Sequence, residues 1–238
     1  MRFIGIIPAR YNSTRFPGKP LVDIKGKPMI QRVYEQCKKC SRLSDVYIAT
    51  DDKRIQDAVN EFGGNVIITS EACKTGTERC FEAINNSNID AEVIINIQGD
   101  EPGISPDQID RLCSLFDNSK VKIGTLAKKI THQIDVNDPN KVKVTFNKNY
   151  KALNFSREKI INESSEHYYK HIGIYAYRVS TLKKIVTLNE SKREKIERLE
   201  QLRWLDNAFD IYISITDEEN IGIDTPDDLK RFLKDFNY

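Results

Sequence analysis

No stretch of this 238-residue chain approaches the ~18 consecutive apolar residues that a membrane-spanning helix needs. The apolar opening is interrupted by Arg10 and lacks the layout of a secretory signal, so a cytoplasmic protein is expected. Surplus charge of one sign is also missing. Lys and Arg number 37 against 35 Asp and Glu, a net charge of +2. That balance argues against a dedicated nucleic-acid binder or a polybasic membrane protein. The five cysteines are Cys37, Cys40, Cys73, Cys80 and Cys113, an odd number without regular spacing. They read as reduced thiols rather than a disulfide framework. Cys37 and Cys40 form a lone CxxC; a zinc site would need a second pair, so both read as small buried hydrophobes. The chain has neither a GxxxxGK[ST] loop nor GxGxxG. With no internal repeat, low-complexity segment or linker, residues 1–238 read as one domain.

What is present is concentrated first in Phe3 to Pro28. Phe3, Ile4, Ile6 and Ile7 form the apolar run of a strand buried on both faces, which Pro8 is expected to end. A loop with Arg10, Arg15 and Lys19 follows, interleaved with Ser13, Thr14 and Gly18. Three cations this close repel one another unless an anion lies between them. The carboxyl end of the first strand of a parallel sheet is a ligand position, and Gly18 lets backbone approach a polyphosphate. The competing reading, a merely solvated basic loop, does not use that placement.

The remaining chain alternates strand and helix. Met29, Val33 and Cys37 give a helix to about Ser41, and Asp45 to Thr50 a second strand. Ile55, Ala58, Val59 and Phe62 stripe a helix that Gly63-Gly64 ends, and Asn65 to Ser70 is a third strand. This order predicts an α/β fold around a mostly parallel sheet. Thr75 and Glu78 have capping-box spacing for a helix to about Asn86. Glu92 to Asp100 is the most apolar strand, leaving Gln98, Gly99 and Asp100 at its carboxyl end. A carboxylate there can hold Mg2+, although Asp-x-Pro alone also favours a turn. Ser105, Pro106 and Gln108 start another helix, and Lys122 to Ile130 is a further strand. Val142 to Phe146 and Ala152 to Phe155 read as a hairpin across the Lys148-Asn149 turn. His171 to Arg178 is a strand with Gly173 at its centre; His171, Gly173, Tyr175 and Tyr177 share one face. Glu158 to Lys170 reads as a mobile loop. Lys195 to Phe209 reads as one periodic helix with Ile196, Leu199, Leu202 and Leu205 inward. Asp210 to Thr216 and the short Ile221 to Asp224 read as strands, and Thr225 caps a last helix through Phe236.

The opening Pro8-Ala9-Arg10, Ser13-Thr14-Arg15 and Pro17-Gly18-Lys19 resembles that of the sugar-activating nucleotidyltransferases. QGDEP at 98–102, FSR at 155–157, HIGIYAY at 171–177, LEQLR at 199–203 and GIDTP at 222–226 narrow it to the 3-deoxy-manno-octulosonate (Kdo) cytidylyltransferase family. The resemblance implies a nucleotide-diphospho-sugar transferase fold, a three-layer α/β sandwich whose hairpin insertion forms the sugar side and dimer region. It implies a homodimer with Mg2+ as cofactor and CTP and Kdo as substrates. The first 130 residues would be mainly nucleotide-binding; 131–238 would bind sugar, dimerise and supply the closing metal ligand. The family's proline soon after FSR is replaced here by Glu158-Lys159-Ile160-Ile161-Asn162.

On that resemblance the chain transfers CMP from CTP to the anomeric hydroxyl of Kdo, releasing pyrophosphate, for lipopolysaccharide or capsule synthesis. Pro8, Ala9, Arg10, Ser13, Arg15 and Lys19 would hold the nucleotide, with Thr75 and Arg79 beside its base. Lys19, Asp100 and Asp224 would be catalytic, the two aspartates holding the metal. Gln98, Arg157, His171, Tyr175, Glu200 and Gln201 would bind the sugar, Arg157 through its carboxylate. Without the motif, His171 would read as a packed strand histidine and Glu200 as surface charge. The alternatives are a cytidylyltransferase for an amino-Kdo or sialic-type acid, a glycosyltransferase, and a non-catalytic cytidine-nucleotide sensor. A glycosyltransferase would want DxD, and Asp51-Asp52 is not one.

Overall fold

The computed structural model describes residues 1–160 and 167–235. They group into two compact units, Met1–Asp110 with Asn220–Tyr238, and Arg111–Glu219.

In the first unit, β1 (Phe3–Ala9) leads through a short 3-10 turn, Lys19–Leu21, to a two-stranded ribbon of β2 (Asp23–Ile24) and β3 (Lys27–Pro28). Then come α1 (Met29–Cys37), β4 (Leu43–Thr50), α2 (Lys53–Glu61), β5 (Val66–Ile68), α3 (Gly76–Asn85), β6 (Val93–Asn96) and α4 (Pro106–Ser114), which carries the chain out of the unit. Strand β1 pairs parallel with both β4 and β6, and β4 with β5. Phe3, Ile4, Ile6 and Ile7 are almost completely buried, as their unbroken apolar run requires.

Pro8 does not end the strand. It lies within β1, opposite Ala49 of β4. Ile6 gives its carbonyl to Ile97 N–H on the β6 side, so by the two-residue period Pro8 also faces that side. Pairing with β6 stops at Ile6, and the missing proline donor costs no ladder bond. The expected strand at Ile221 to Asp224 does not form either. Ile223 N–H makes one bond to Asp100 O at 2.9 Å, while Ile223 is buried with Ile24, Met29 and Phe232.

In the second unit, β7 (Ile123–Lys129) is followed by α5 (Gln133–Asn137), β8 (Lys143–Phe146), β9 (Ala152–Ser156), β10 (Tyr169–Arg178) and α6 (Val179–Ile185). After these come α7 (Lys192–Glu197), α8 (Gln201–Asp206) and β11 (Ile211–Ile215); α9 (Pro226–Asp235) then belongs to the first unit. Strands β8 and β9 are the expected hairpin, with Val144 opposite Phe155. Strand β7 pairs parallel with β11 and antiparallel with β10, whose register shifts between Ile172 and Tyr175. Gly173 therefore sits in a bulge. Thr125 Oγ1 fills it, donating toward Ile172 O at 3.1 Å and Ile174 O at 2.7 Å.

The single helix expected over Lys195 to Phe209 is two helices. Arg198 breaks it with a left-handed backbone (φ 54°), and Ile196 is 80% exposed instead of inward. The cause is a buried pair. Arg203 Nε and Nη2 reach the two carboxylate oxygens of Glu194 at 2.7 and 2.6 Å, and the chain must turn back to close that fork. The Ser191–Glu194 capping box starts α7 at the same carboxylate. Of the loop expected at Glu158 to Lys170, 161–166 lie outside the described residues, as does the end of the last helix at 236.

Candidate active site

The site in the first unit is built on the carboxyl ends of β1 and β6. Beyond Ala9 the chain folds back on Tyr11, whose carbonyl accepts from Ser13 N–H at 3.0 Å and Gly18 N–H at 2.9 Å. Gly18 has φ 72°, a left-handed backbone that favours glycine, and a Cβ there would press on the Tyr11 ring at 3.1 Å. The Arg54 guanidinium stacks 3.3 Å above the other partner of this loop, the Tyr11 ring, and is itself paired with Asp52 at 2.6 Å. Buried Pro20 sets the turn that aims Lys19. On the β6 side, a Cβ on Gly99 would lie 2.8 Å from the Pro8 carbonyl oxygen, so only glycine lets the two strand ends approach. The Ile223–Asp100 backbone bond then brings Asp224 in. Asp228 secures that turn, accepting from Thr225 N–H at 2.9 Å and Asp224 N–H at 3.2 Å. Burial raises the Asp228 pKa, but the Thr225 hydroxyl and these amides outweigh it and hold the carboxyl below the usual range.

These elements enclose a cleft of about 380 Å3. Pro8, Ala9, Arg10, Ser13, Arg15 and Lys19 line it on the loop side, and Gln98, Asp100 and Asp224 opposite. Residues 81 and 205 positions away from Lys19 meet at its ammonium: Asp100 Oδ2 at 2.7 Å and Asp224 Oδ1 at 3.0 Å. Arg15 reaches the same Asp224 oxygen at 3.0 Å. Burial works against the charge on Lys19, but Asp100 and then Asp224 outweigh it and raise its pKa above the ordinary lysine value. Two hard carboxylate oxygens converging on one cation position fit a divalent metal that takes its remaining ligands from phosphate and water. Among the described residues no cluster of three or more His, Cys, Asp or Glu could hold a metal.

Thr75 and Arg79 are not among the residues lining this cleft. Thr75 caps α3, accepting from Glu78 N–H at 3.1 Å. Arg79 is fully buried, its guanidinium spanning Asp51 Oδ2 at 2.7 Å and Thr69 Oγ1 at 2.5 Å.

The second unit holds the other predicted sugar residues. His171 Nε2 lies 3.0 Å from Thr125 Oγ1, with its ring between Phe155 and Tyr175 at 5.1 and 5.3 Å. Burial pulls its pKa down to about 3, so the imidazole is neutral. Tyr175 packs edge-on to Trp204 at 5.0 Å; burial and the Glu200 charge push its phenol well above the ordinary value. Glu200 and Gln201 open α8. Arg157 Nε donates to Glu197 O at 2.9 Å and Nη1 to Pro139 O at 3.3 Å, which fixes the guanidinium plane. Sequence reasoning missed Asn12 on the cleft wall, the Arg54–Tyr11 stack, Thr125, Glu197 and Trp204. All but Asn12 act through a tertiary contact that leaves no local pattern.

The cytidylyltransferase family profile matches residues 4–215. The chain belongs to that family. A 3-deoxy-manno-octulosonate cytidylyltransferase from Parabacteroides distasonis is 50% identical over 98% of this chain and 97% of its own length. An 8-amino-3,8-dideoxy-manno-octulosonate cytidylyltransferase from Shewanella sp. strain ANA-3 is 42% identical over 95% of both. The solved structure of CMP:2-keto-3-deoxy-manno-octonic acid synthetase complexed with CTP superposes with a TM-score of 0.93 at 38% identity, covering 98% of each chain. The mixed α/β architecture of this cytidylyltransferase-family chain, with its mainly parallel sheet, is thus nucleotide-diphospho-sugar transferase-like.

Proposed function

We propose that the protein transfers CMP from CTP to Kdo, giving CMP-Kdo and pyrophosphate. The observation that carries this is the cleft in which Arg10, Arg15 and Lys19 stand against Asp100 and Asp224, in a chain similar over its whole length to Kdo cytidylyltransferases. The anomeric hydroxyl of Kdo attacks the α-phosphorus in line. Its oxygen forms the new P–O bond, pyrophosphate takes the electrons of the broken one, and the hydroxyl proton passes to solvent or buffer. No covalent enzyme intermediate is required, so rate comes from positioning and charge stabilisation. Arg10, Arg15 and Lys19 hold the triphosphate and offset charge on the leaving group. Asp100 and Asp224 hold Mg2+, which when bound supplies Lewis-acid polarisation of the reacting oxygens. Thr75 stands beside the base in this reading; Arg79, expected there too, is fully buried on Asp51 and Thr69. Arg157 takes the sugar carboxylate, and Gln98, His171, Tyr175, Glu200 and Gln201 its hydroxyls; neutral His171 serves as a hydrogen-bond partner rather than a charge.

A homodimer, a cytoplasmic setting and use of the product in lipopolysaccharide or capsule assembly belong to the same reading and rest on the family resemblance. The test is pyrophosphate release from CTP with Kdo, 8-amino-Kdo, a sialic acid and neutral sugars. Kdo should give the highest kcat/KM. The 42% identity to an amino-Kdo enzyme makes that sugar the relevant competitor, and a higher kcat/KM for it would reassign the substrate. Release with neutral sugars only would refute the proposal.

A further inference from the structure

Lys19 is read above as a phosphate ligand, yet its ammonium is not directed to open solvent. It donates to Asp100 and Asp224 together, at 2.7 and 3.0 Å, and its side chain is only 12% exposed. Asp224 Oδ1 also takes Arg15. The carboxylates that would bind a divalent cation are therefore already neutralised, by two of the cations assigned to the triphosphate. Their own oxygens are the ones occupied. A divalent cation and an ammonium cannot both sit at hydrogen-bond or coordination distance from the same two oxygens, because like charges a few ångströms apart in a partly desolvated cleft repel strongly.

We propose that Lys19 holds the place of the metal between Asp100 and Asp224, and that the nucleotide draws it away, so that CTP binding opens the metal site. This rests on the two-aspartate metal reading. The triphosphate offers Lys19 and Arg15 a higher negative charge than the aspartates do. As they swing to it, the aspartate oxygens are released where phosphate oxygens arrive to complete the coordination shell. The exchange keeps the carboxylate pair neutralised at every stage: by ammonium before nucleotide, by metal after. It also makes the coupling reciprocal, since whatever occupies the aspartates favours Lys19 on the phosphates. Metal recruitment is thus conditional on the substrate that needs it, and the free enzyme carries its aspartates without a tightly held divalent ion. Arg15 contributes less to the blockade, because its side chain is 65% exposed and its pairing is screened by water.

The test measures Mn2+ binding to nucleotide-free protein by electron paramagnetic resonance and calorimetry. Lys19→Met removes the ammonium and keeps most of the unbranched stem, and should bind Mn2+ at least about tenfold tighter than the parent, because the competing charge is gone. Lys19→Arg retains a charge and should stay weak. Lys19→Met with Asp100→Asn should lose the gain. An independent readout is thermal unfolding. Without a cation the carboxylates of Lys19→Met repel, so Mn2+ should raise its Tm by more than it raises the parent's. Lys19→Met binding no tighter than the parent, while Asp100→Asn raises the Mn2+ needed for turnover in the Lys19 enzyme, overturns the exchange and leaves the two-aspartate site standing. A Mn2+ response indifferent to both Asp100→Asn and Asp224→Asn removes the site itself, and the exchange with it.

Discussion

Replacing Glu194 by alanine tests the buried fork that sets the start of α8. Arg203, whose side chain is 7% exposed in the parent, would be left with the bond from Nη1 to Leu188 O at 3.1 Å. Breaking a buried pair from one side costs about 3–5 kcal/mol, because the surviving charge stays desolvated. The Ser191 cap is weakened in the same change, since Glu194 also accepts from Ser191 N–H; a cap is worth about 1 kcal/mol. At about 2–4 °C per kcal/mol for a chain of this size, the two losses together should lower the Tm by roughly 8–24 °C. Glu194→Gln retains one acceptor and should fall between parent and alanine variant. Joint replacement by Glu194→Leu and Arg203→Met should recover much of the loss, because a hydrophobic pair removes the stranded charge. Urea unfolding at pH 7 gives the stabilities, and initial rates against Kdo and CTP give the functional consequence. Because Glu200 and Gln201 open the helix that this pair anchors, KM for the sugar should rise more than KM for CTP. A Glu194→Ala loss under about 1 kcal/mol would refute the view that this pair dictates the break at Arg198.

Three further outcomes are expected. Gly99→Ala would push a Cβ to 2.8 Å from the Pro8 carbonyl, which has no side chain to yield, so stability should drop by about 1–3 kcal/mol and turnover should fall as Asp100 is displaced; unchanged turnover would show that the strand ends need not approach so closely. Arg157→Lys keeps the charge but loses the fork, so half-saturation for Kdo should rise with that for CTP nearly constant, and an equal change for both substrates would return Arg157 to a structural role on Glu197. His171 has a folded-state pKa near 3 against an ordinary 6.5, so between those values the unfolded chain binds a proton that the folded chain refuses. Its contribution is therefore constant above pH 6.5 and turns increasingly against folding as pH falls toward 3; urea melts at pH 7 and pH 5 should show a shallower loss in His171→Asn than in the parent, and identical slopes would show that the ring is hydrated.

The sequence alone determined the elements whose signals are local. Ile4, Ile6 and Ile7 had to be a buried strand, because an unbroken apolar run of that length leaves no face for water. Val142 to Phe155 had to be a hairpin. The motifs of the opening loop, QGDEP and GIDTP supplied the family, and with it residues that spacing by itself leaves ambiguous. Tertiary structure decided what depends on distant partners. Lys19, Asp100 and Asp224 lie 81 and 205 positions apart, and no periodicity announces that both carboxylates will close on one ammonium. Arg79 was expected beside the nucleotide base yet is buried against Asp51, because a desolvated guanidinium needs a carboxylate within reach. The same electrostatics broke the helix at Arg198. Its apolar stripe favoured continuing, but leaving Glu194 and Arg203 buried and apart would have cost more than one left-handed residue. Hydrophobic period thus placed Leu199 and Leu202 inward, while the pairing of buried charge decided where the chain bends and left Ile196 outside.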